Sequence, residues 1–250
     1  ALCTAKRGGG EIAGHLGFGC LGGGLGQLER ERVAVFVDNS GIDGRLGFFG
    51  ECAFHKGQML GGFSAALITS LGNDTVAAAN YAKTLEQIDG EHIGVMGWSQ
   101  GGTDALLCAA RAADVFTSVV TWAGAPDLSD MLTDELYEQA KANGYFVMDF
   151  DWREPLNVSL QWCEDVKNTD VLGEFEAGYT GPVLAIAGKE DTTVDPEWSN
   201  KIVAASKNPA SKTCFIEGMD HTFNVFAEED LHSLYQAVDE TGKFFSETLR

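Results

Sequence analysis

From residue 73 onward the chain alternates short, nearly continuous apolar runs with helix-like stretches. That alternation restricts the fold more than any other feature. The runs cover residues 93–96, 116–122, 182–187 and 212–217. They are of strand length and too short for buried helices. A strand that is apolar along its whole length has no face for water. The pattern therefore predicts a mostly parallel sheet with helices on both faces, an α/β architecture.

The intervening stretches supply those helices. Asp74 is expected to cap a helix over residues 75–88, with Ala77, Tyr81, Leu85 and Ile88 on its buried face. A small-residue helix is expected over 100–113. Another is expected over 196–206, with Pro196 in its first turn. The last helix places Leu231, Leu234, Tyr235, Val238 and Phe245 on one stripe.

Two segments depart from this rhythm. Residues 126–181 are acidic and carry Tyr145, Phe146, Phe150, Trp152, Trp162, Phe175 and Tyr179. An insertion of this kind, placed at 126–178, suits a lid. The plainer alternative is a peripheral excursion whose aromatics pack a small core of their own. Residues 1–72 hold 18 of the 31 glycines and balance six basic against six acidic side chains. There, residues 25–32 read as a short helix. Residues 33–37 read as a strand ending at the turn Asp38-Asn39-Ser40-Gly41. The whole chain, 1–250, is read as one domain.

Charge narrows the partners. The net charge is −20, all of it carried beyond residue 72. Nucleic acid and anionic lipid both call for a basic surface, so both are excluded as expected partners. No apolar run of ~18 residues is present to span a membrane. The six cysteines have no C-x-x-C spacing and the five histidines do not cluster, so no metal site is expected. Scattered cysteines in a chain of this size read as reduced thiols. The start, Ala1 to Arg7, lacks the apolar stretch of a signal peptide, so a cytoplasmic location is expected.

Chemistry is concentrated at three loops. Gly97-Trp98-Ser99-Gln100-Gly101-Gly102 follows an expected strand and opens an expected helix. This is G-x-S-x-G in the setting of a nucleophile elbow, a turn so tight that it needs small residues around the serine. The competing reading is a Gly-rich turn with a capping serine. In the elbow, the Gln100 N–H faces the place where an oxyanion forms.

A serine nucleophile needs a base, and the base needs a carboxylate. Asp191 lies in Gly188-Lys189-Glu190-Asp191-Thr192-Thr193, directly after the strand over 182–187. His221 lies in Gly218-Met219-Asp220-His221-Thr222-Phe223, after the next strand. All three loops fall at the carboxyl ends of strands, where open α/β sheets keep their sites. Of the neighbouring acids, Asp195 reads as a helix cap. Glu190 and Asp220 read as solvated charges, with Asp220 diverging from the imidazole.

These motifs resemble the α/β-hydrolase family. G-W-S-Q-G-G, G-K-E-D-T-T-V-D-P and I-E-G-M-D-H-T-F are similar to the feruloyl (cinnamoyl) esterase and dienelactone-hydrolase-like branch. The resemblance implies Ser99, Asp191 and His221 as a triad, ester hydrolysis, and no cofactor. It also implies a second oxyanion donor from a His-Gly turn near the N-terminus. The nearest counterpart is His15-Leu16-Gly17-Phe18-Gly19, with a leucine intruding, which gives Phe18 or Gly17. Asn39-Ser40 is the other candidate.

Gly17-Phe18-Gly19-Cys20-Leu21-Gly22 also spells a dinucleotide fingerprint, but no apolar strand precedes it, so no dinucleotide is expected. Trp98, Phe223 and the aromatics of the insertion, Trp152 among them, are expected to form an apolar acyl pocket. The expected activity is that of a serine carboxylesterase acting on small esters, with aromatic acids as one substrate class. A peptidase or acyltransferase on the same scaffold stays open. So do a hydrolase-like binding protein and assembly as a homodimer.

Overall fold

A computed structural model describes residues 31–37, 47–48, 68–86, 88–150 and 153–250. Strands β1 (Glu31–Val37) and β2 (Gly47–Phe48) precede helix α1 (Ile68–Lys83). Strand β3 (Ile88–Trp98), helix α2 (Gln100–Arg111) and strand β4 (Ser118–Trp122) follow. After a 3-10 turn at Ser129–Met131 come α3 (Asp134–Asn143), β5 (Tyr145–Phe150), β6 (Arg153–Ser159), α4 (Leu160–Asn168) and α5 (Val171–Gly178). The chain closes with β7 (Val183–Gly188), α6 (Glu197–Ala205), β8 (Lys212–Ile216) and α7 (His232–Thr248).

Six strands form one sheet in the order β2-β1-β3-β4-β7-β8. All neighbours are parallel except the antiparallel pair β1–β2. This is the α/β architecture expected from the apolar runs. Side chains alternate between the faces of the sheet. Val95, Val119, Val183 and Ala185 join one core cluster, with side chains from α1, α2, α5 and α6. Met96, Val120, Leu184 and Ile186 join the other, under α7. The central strands β4 and β7 are buried on both faces, so they carry no polar alternation.

Two helices differ from the expectation. Helix α1 begins at Ile68, so Asp74 lies inside it and caps nothing, and Ile88 opens β3 instead of closing the helix. Its buried face is Thr75, Ala79 and Ala82, whereas Ala77 and Tyr81 are exposed. Small side chains let α1 approach α2, so choosing the face by hydrophobic size selects the wrong one. On α7 the buried set is Leu234, Ala237, Thr241, Phe244 and Phe245, and Tyr235 faces water.

The segment after β4 adds a separate hairpin, β5–β6, and contributes nothing to the main sheet. Its aromatics do not form a core of their own. Phe146, Trp162, Phe175 and Tyr179 belong to the same cluster as Ile93 and Val95. A bidentate pair, Arg111 Nε to Glu174 Oε2 (2.7 Å) and Nη2 to Oε1 (2.9 Å), links α2 to α5. The helix expected over 25–32 is contradicted at its end, where Glu31 and Arg32 already belong to β1, which pairs with β3. Residues 25–30, with His15 to Gly19, Asn39, Ser40 and Trp152, lie outside the described residues.

Candidate active site

Ser99 sits between the end of β3 and the first turn of α2 with φ +54° and ψ −124°. That is a left-handed, strained backbone for a residue with a side chain, and such strain persists only where the surroundings enforce it. Here the Ser99 N–H donates to the Trp122 carbonyl at the end of β4 (2.8 Å). The Ser99 carbonyl accepts from Gly102 N (2.9 Å) and Ala125 N (3.3 Å). A Cβ on Gly97 would lie 1.9 Å from the Gly101 carbonyl oxygen, so the two arms of the turn touch where only glycine fits. The sequence pattern G-x-S-x-G is thus a packing requirement before it is a chemical one.

Asp191 follows β7 and His221 follows β8, as expected. Their loops are brought together because Gly188 lets the Met219 carbonyl approach: a Cβ there would be 1.9 Å from that oxygen. Glu190 N donates to the same carbonyl (3.1 Å). The Asp191 side chain is fully buried and saturated. Its Oδ1 accepts from Thr193 N and Val194 N, both at 2.9 Å, and its Oδ2 meets His221 Nδ1 at 2.8 Å. A carboxylate oxygen accepts, so Nδ1 carries the ring proton and Nε2 presents its lone pair. Ser99 Oγ lies 3.1 Å from that nitrogen. Ser99, His221 and Asp191, 30 and 122 residues apart along the chain, therefore form one continuous hydrogen-bonded line.

Five other residues, Asp220, Thr222, Asn224, Glu228 and Ser233, hold the histidine loop, and the sequence reading missed their part. Asp220, taken for a solvated charge, turns away from the imidazole into its own loop. Its Oδ1 accepts from Thr222 N (2.8 Å), Thr222 Oγ1 (2.9 Å) and Asn224 N (2.9 Å). Asn224 returns the contact through Oδ1 to Asp220 N (2.8 Å) and donates from Nδ2 to Gly218 O and Glu228 Oε1. Hydrogen bonds from Asn224 and Ser233 lower the Glu228 carboxyl to a pKa of about 2. The D-x-T spacing of 220–222 is an Asx-turn signal that was legible in the sequence. Asp195 does cap α6, accepting from Glu197 N (2.9 Å).

The residues expected to line an acyl pocket are placed differently. Phe223 is 3% exposed and stacks on Trp122 in the core beneath the loop (4.7 Å between centroids). Trp98 donates its indole N–H to the His221 carbonyl (3.0 Å) and lies tilted beside the imidazole. Both support the histidine loop. Phe18 and Trp152 lie outside the described residues.

A cavity of about 230 Å³ opens between α2, α4, α5 and α6, with Thr103, Leu128, Val171, Leu172 and Trp198 in its wall. Thr103 is one helical turn from Ser99, and its hydroxyl donates to the Ala125 carbonyl. Gln100 opens α2, so its N–H has no intrahelical acceptor. Among the described residues no cluster of potential metal ligands is found, and no helix is long and apolar enough to cross a membrane.

Comparison with known proteins identifies the family and the fold. The model of the prolyl oligopeptidase family matches residues 69–248. No curated protein sequence matches the chain. Among solved structures, Est1E from Butyrivibrio proteoclasticus is similar at 22% identity and a TM-score of 0.53, covering 72% of this chain and 71% of its own. Est1E is also known with ferulic acid bound. A hypothetical protein, PA2218 from Pseudomonas aeruginosa, is 18% identical with a TM-score of 0.59, covering 82% and 75%. The α/β-hydrolase GrgF from a Penicillium species is 13% identical with a TM-score of 0.59, covering 82% and 79%. At these identities the likeness is one of fold, the α/β-hydrolase fold.

Proposed function

The chain belongs to the prolyl oligopeptidase family of α/β-hydrolases, and on that premise we propose that it is a serine hydrolase that cleaves small carboxylic esters. Esters of aromatic acids are the proposed substrate class. The observation that carries the reading is the line Ser99 Oγ, His221 Nε2, His221 Nδ1, Asp191 Oδ2, with contacts of 3.1 and 2.8 Å.

In this reading His221 Nε2 takes the Ser99 proton as Oγ attacks the ester carbonyl. Asp191 keeps the ring in the required tautomer and stabilises the imidazolium. The Gln100 N–H, at the positive end of α2, donates to the tetrahedral oxyanion. Phe18, within the sequence His15-Leu16-Gly17-Phe18-Gly19, is proposed as the second donor. The C–O bond to the alcohol breaks and the alcohol leaves with the proton from His221. Water, activated by the same nitrogen, then releases the acid from Ser99. Residues 126–178 are proposed as a lid over the site.

The family match favours a second reading, hydrolysis of peptides. A fluorophosphonate probe and a substrate panel separate the outcomes. Wild type should be labelled and Ser99→Ala should not. Turnover of p-nitrophenyl esters and methyl ferulate, with peptide p-nitroanilides left intact, supports the esterase. The opposite preference supports the peptidase. A folded wild-type sample that takes no label points to a binding protein.

A further inference from the structure

We infer that Trp162, in the inserted segment, is a positioning residue for the oxyanion hole, acting through the side chain of Gln100. The inference rests on the proposed role of the Gln100 N–H. Trp162 Nε1 donates to Gln100 Oε1 at 3.2 Å, across 62 residues of sequence. The indole is almost fully buried and set edge-on against Phe146 of β5 (6.0 Å, 61°). Its own backbone N–H is capped by Ser159 Oγ (3.2 Å), at the junction of β6 and α4. Hairpin and helix thus mount the indole rigidly.

Gln100 has no comparable anchor elsewhere. Its Nε2 is buried and without a hydrogen-bond partner among the described residues. The Trp162 bond therefore fixes both the rotamer and which end of the amide faces the insertion. One turn along α2, Asp104 is completely buried and neither carboxyl oxygen has a partner among the described residues. Residues four apart share a helix face, so a Gln100 amide released by Trp162 has the unpartnered Asp104 on its own face. Gln100 follows the strained Ser99 directly, so losing the anchor on its side chain frees the peptide that carries the oxyanion donor. The ordered insertion holds that peptide in place.

The test is Trp162→Phe, which keeps the buried ring and removes the N–H. With a p-nitrophenyl ester, kcat should fall about tenfold with KM nearly unchanged, short of the ~10²–10³ for losing a donor outright. Gln100→Ala should lower kcat similarly, and the double variant should be no worse than Gln100→Ala alone. Multiplying losses, or an effect on KM alone, overturns the inference. An activity-independent readout is the Trp162 indole N–H resonance, assigned by its loss in Trp162→Phe. Its shift and faster exchange in Gln100→Ala support the link, and an unchanged resonance overturns it. Failure of the esterase reading shows separately, as wild-type Ser99 that takes no fluorophosphonate label.

Discussion

Gly97 shows how a single hydrogen atom sets the site. The carbonyl of Gly101 occupies the space a Cβ would need, and backbone cannot be pushed aside as a flexible side chain can. Gly97→Ala should cost about 1–3 kcal/mol of stability, seen in thermal melting, and should also abolish probe labelling of Ser99. Retained labelling at wild-type rate would show that the turn tolerates the methyl. Asp104 poses the opposite problem. Burial, with Asp165 adding repulsion, raises its carboxyl well above the ordinary 3.8, and Arg111 offsets this only in part. The folded protein then holds this proton more tightly than the unfolded chain does. Between the unfolded and folded pKa values, stability falls as pH rises. Asp104→Asn removes the titration, so its gain in stability should be on the order of 1–3 kcal/mol at pH 7.5 and smaller at pH 4. Melting curves at the two pH values check this, and equal gains would sink it.

Among the elements, α7 is bound to the sheet by more than its apolar stripe. Trp122 at the end of β4 donates its indole N–H to Thr241 Oγ1 (2.9 Å), and that hydroxyl donates to Ala237 O (2.8 Å). The Trp122 carbonyl in turn holds the Ser99 N–H, so the helix supports the elbow from behind. Thr241→Val keeps the volume and removes the hydroxyl. It should lower stability by about 1–3 kcal/mol, measured by denaturant unfolding. No change would mean that the indole finds an equivalent acceptor. Strand positions were legible in the sequence because β4 and β7 are buried on both sides and leave a continuous apolar signal. The face of α1 was not legible, because a close helix pair buries Ala79 and Ala82 and turns Tyr81 outward. Trp162 read only as one of the aromatics of a lid, or alternatively of a small separate core, and only the packing of α4 shows that its N–H reaches Gln100.

For the whole molecule the dominant fact is charge. A net charge of −20 over 250 residues repels itself in the compact state. Added salt shortens the Debye length from about 30 Å at 0.01 M to about 10 Å at 0.1 M. The melting temperature should therefore rise on going from 10 mM to 150 mM NaCl, and a flat or falling curve would argue against self-repulsion as a cost. The same charge asymmetry separated residues 1–72 from the rest of the sequence. The family match runs over residues 69–248, and the triad falls wholly within it.

Outside residues 126–181, the sequence by itself determined the order of the main-sheet strands and their helices from β3 on, and which loops carry Ser99, Asp191 and His221. Those properties are local: apolar run length and turn chemistry are written in neighbouring residues. Only the tertiary structure decided what the loops do to one another. It set the 2.8 and 3.1 Å contacts of the histidine. It also sent Phe223 to the core and joined Trp162 to Gln100. These depend on approach between segments 30 to 122 residues apart, and at Gly188 the missing Cβ is what lets the Asp191 and His221 loops meet. No local pattern records such an approach.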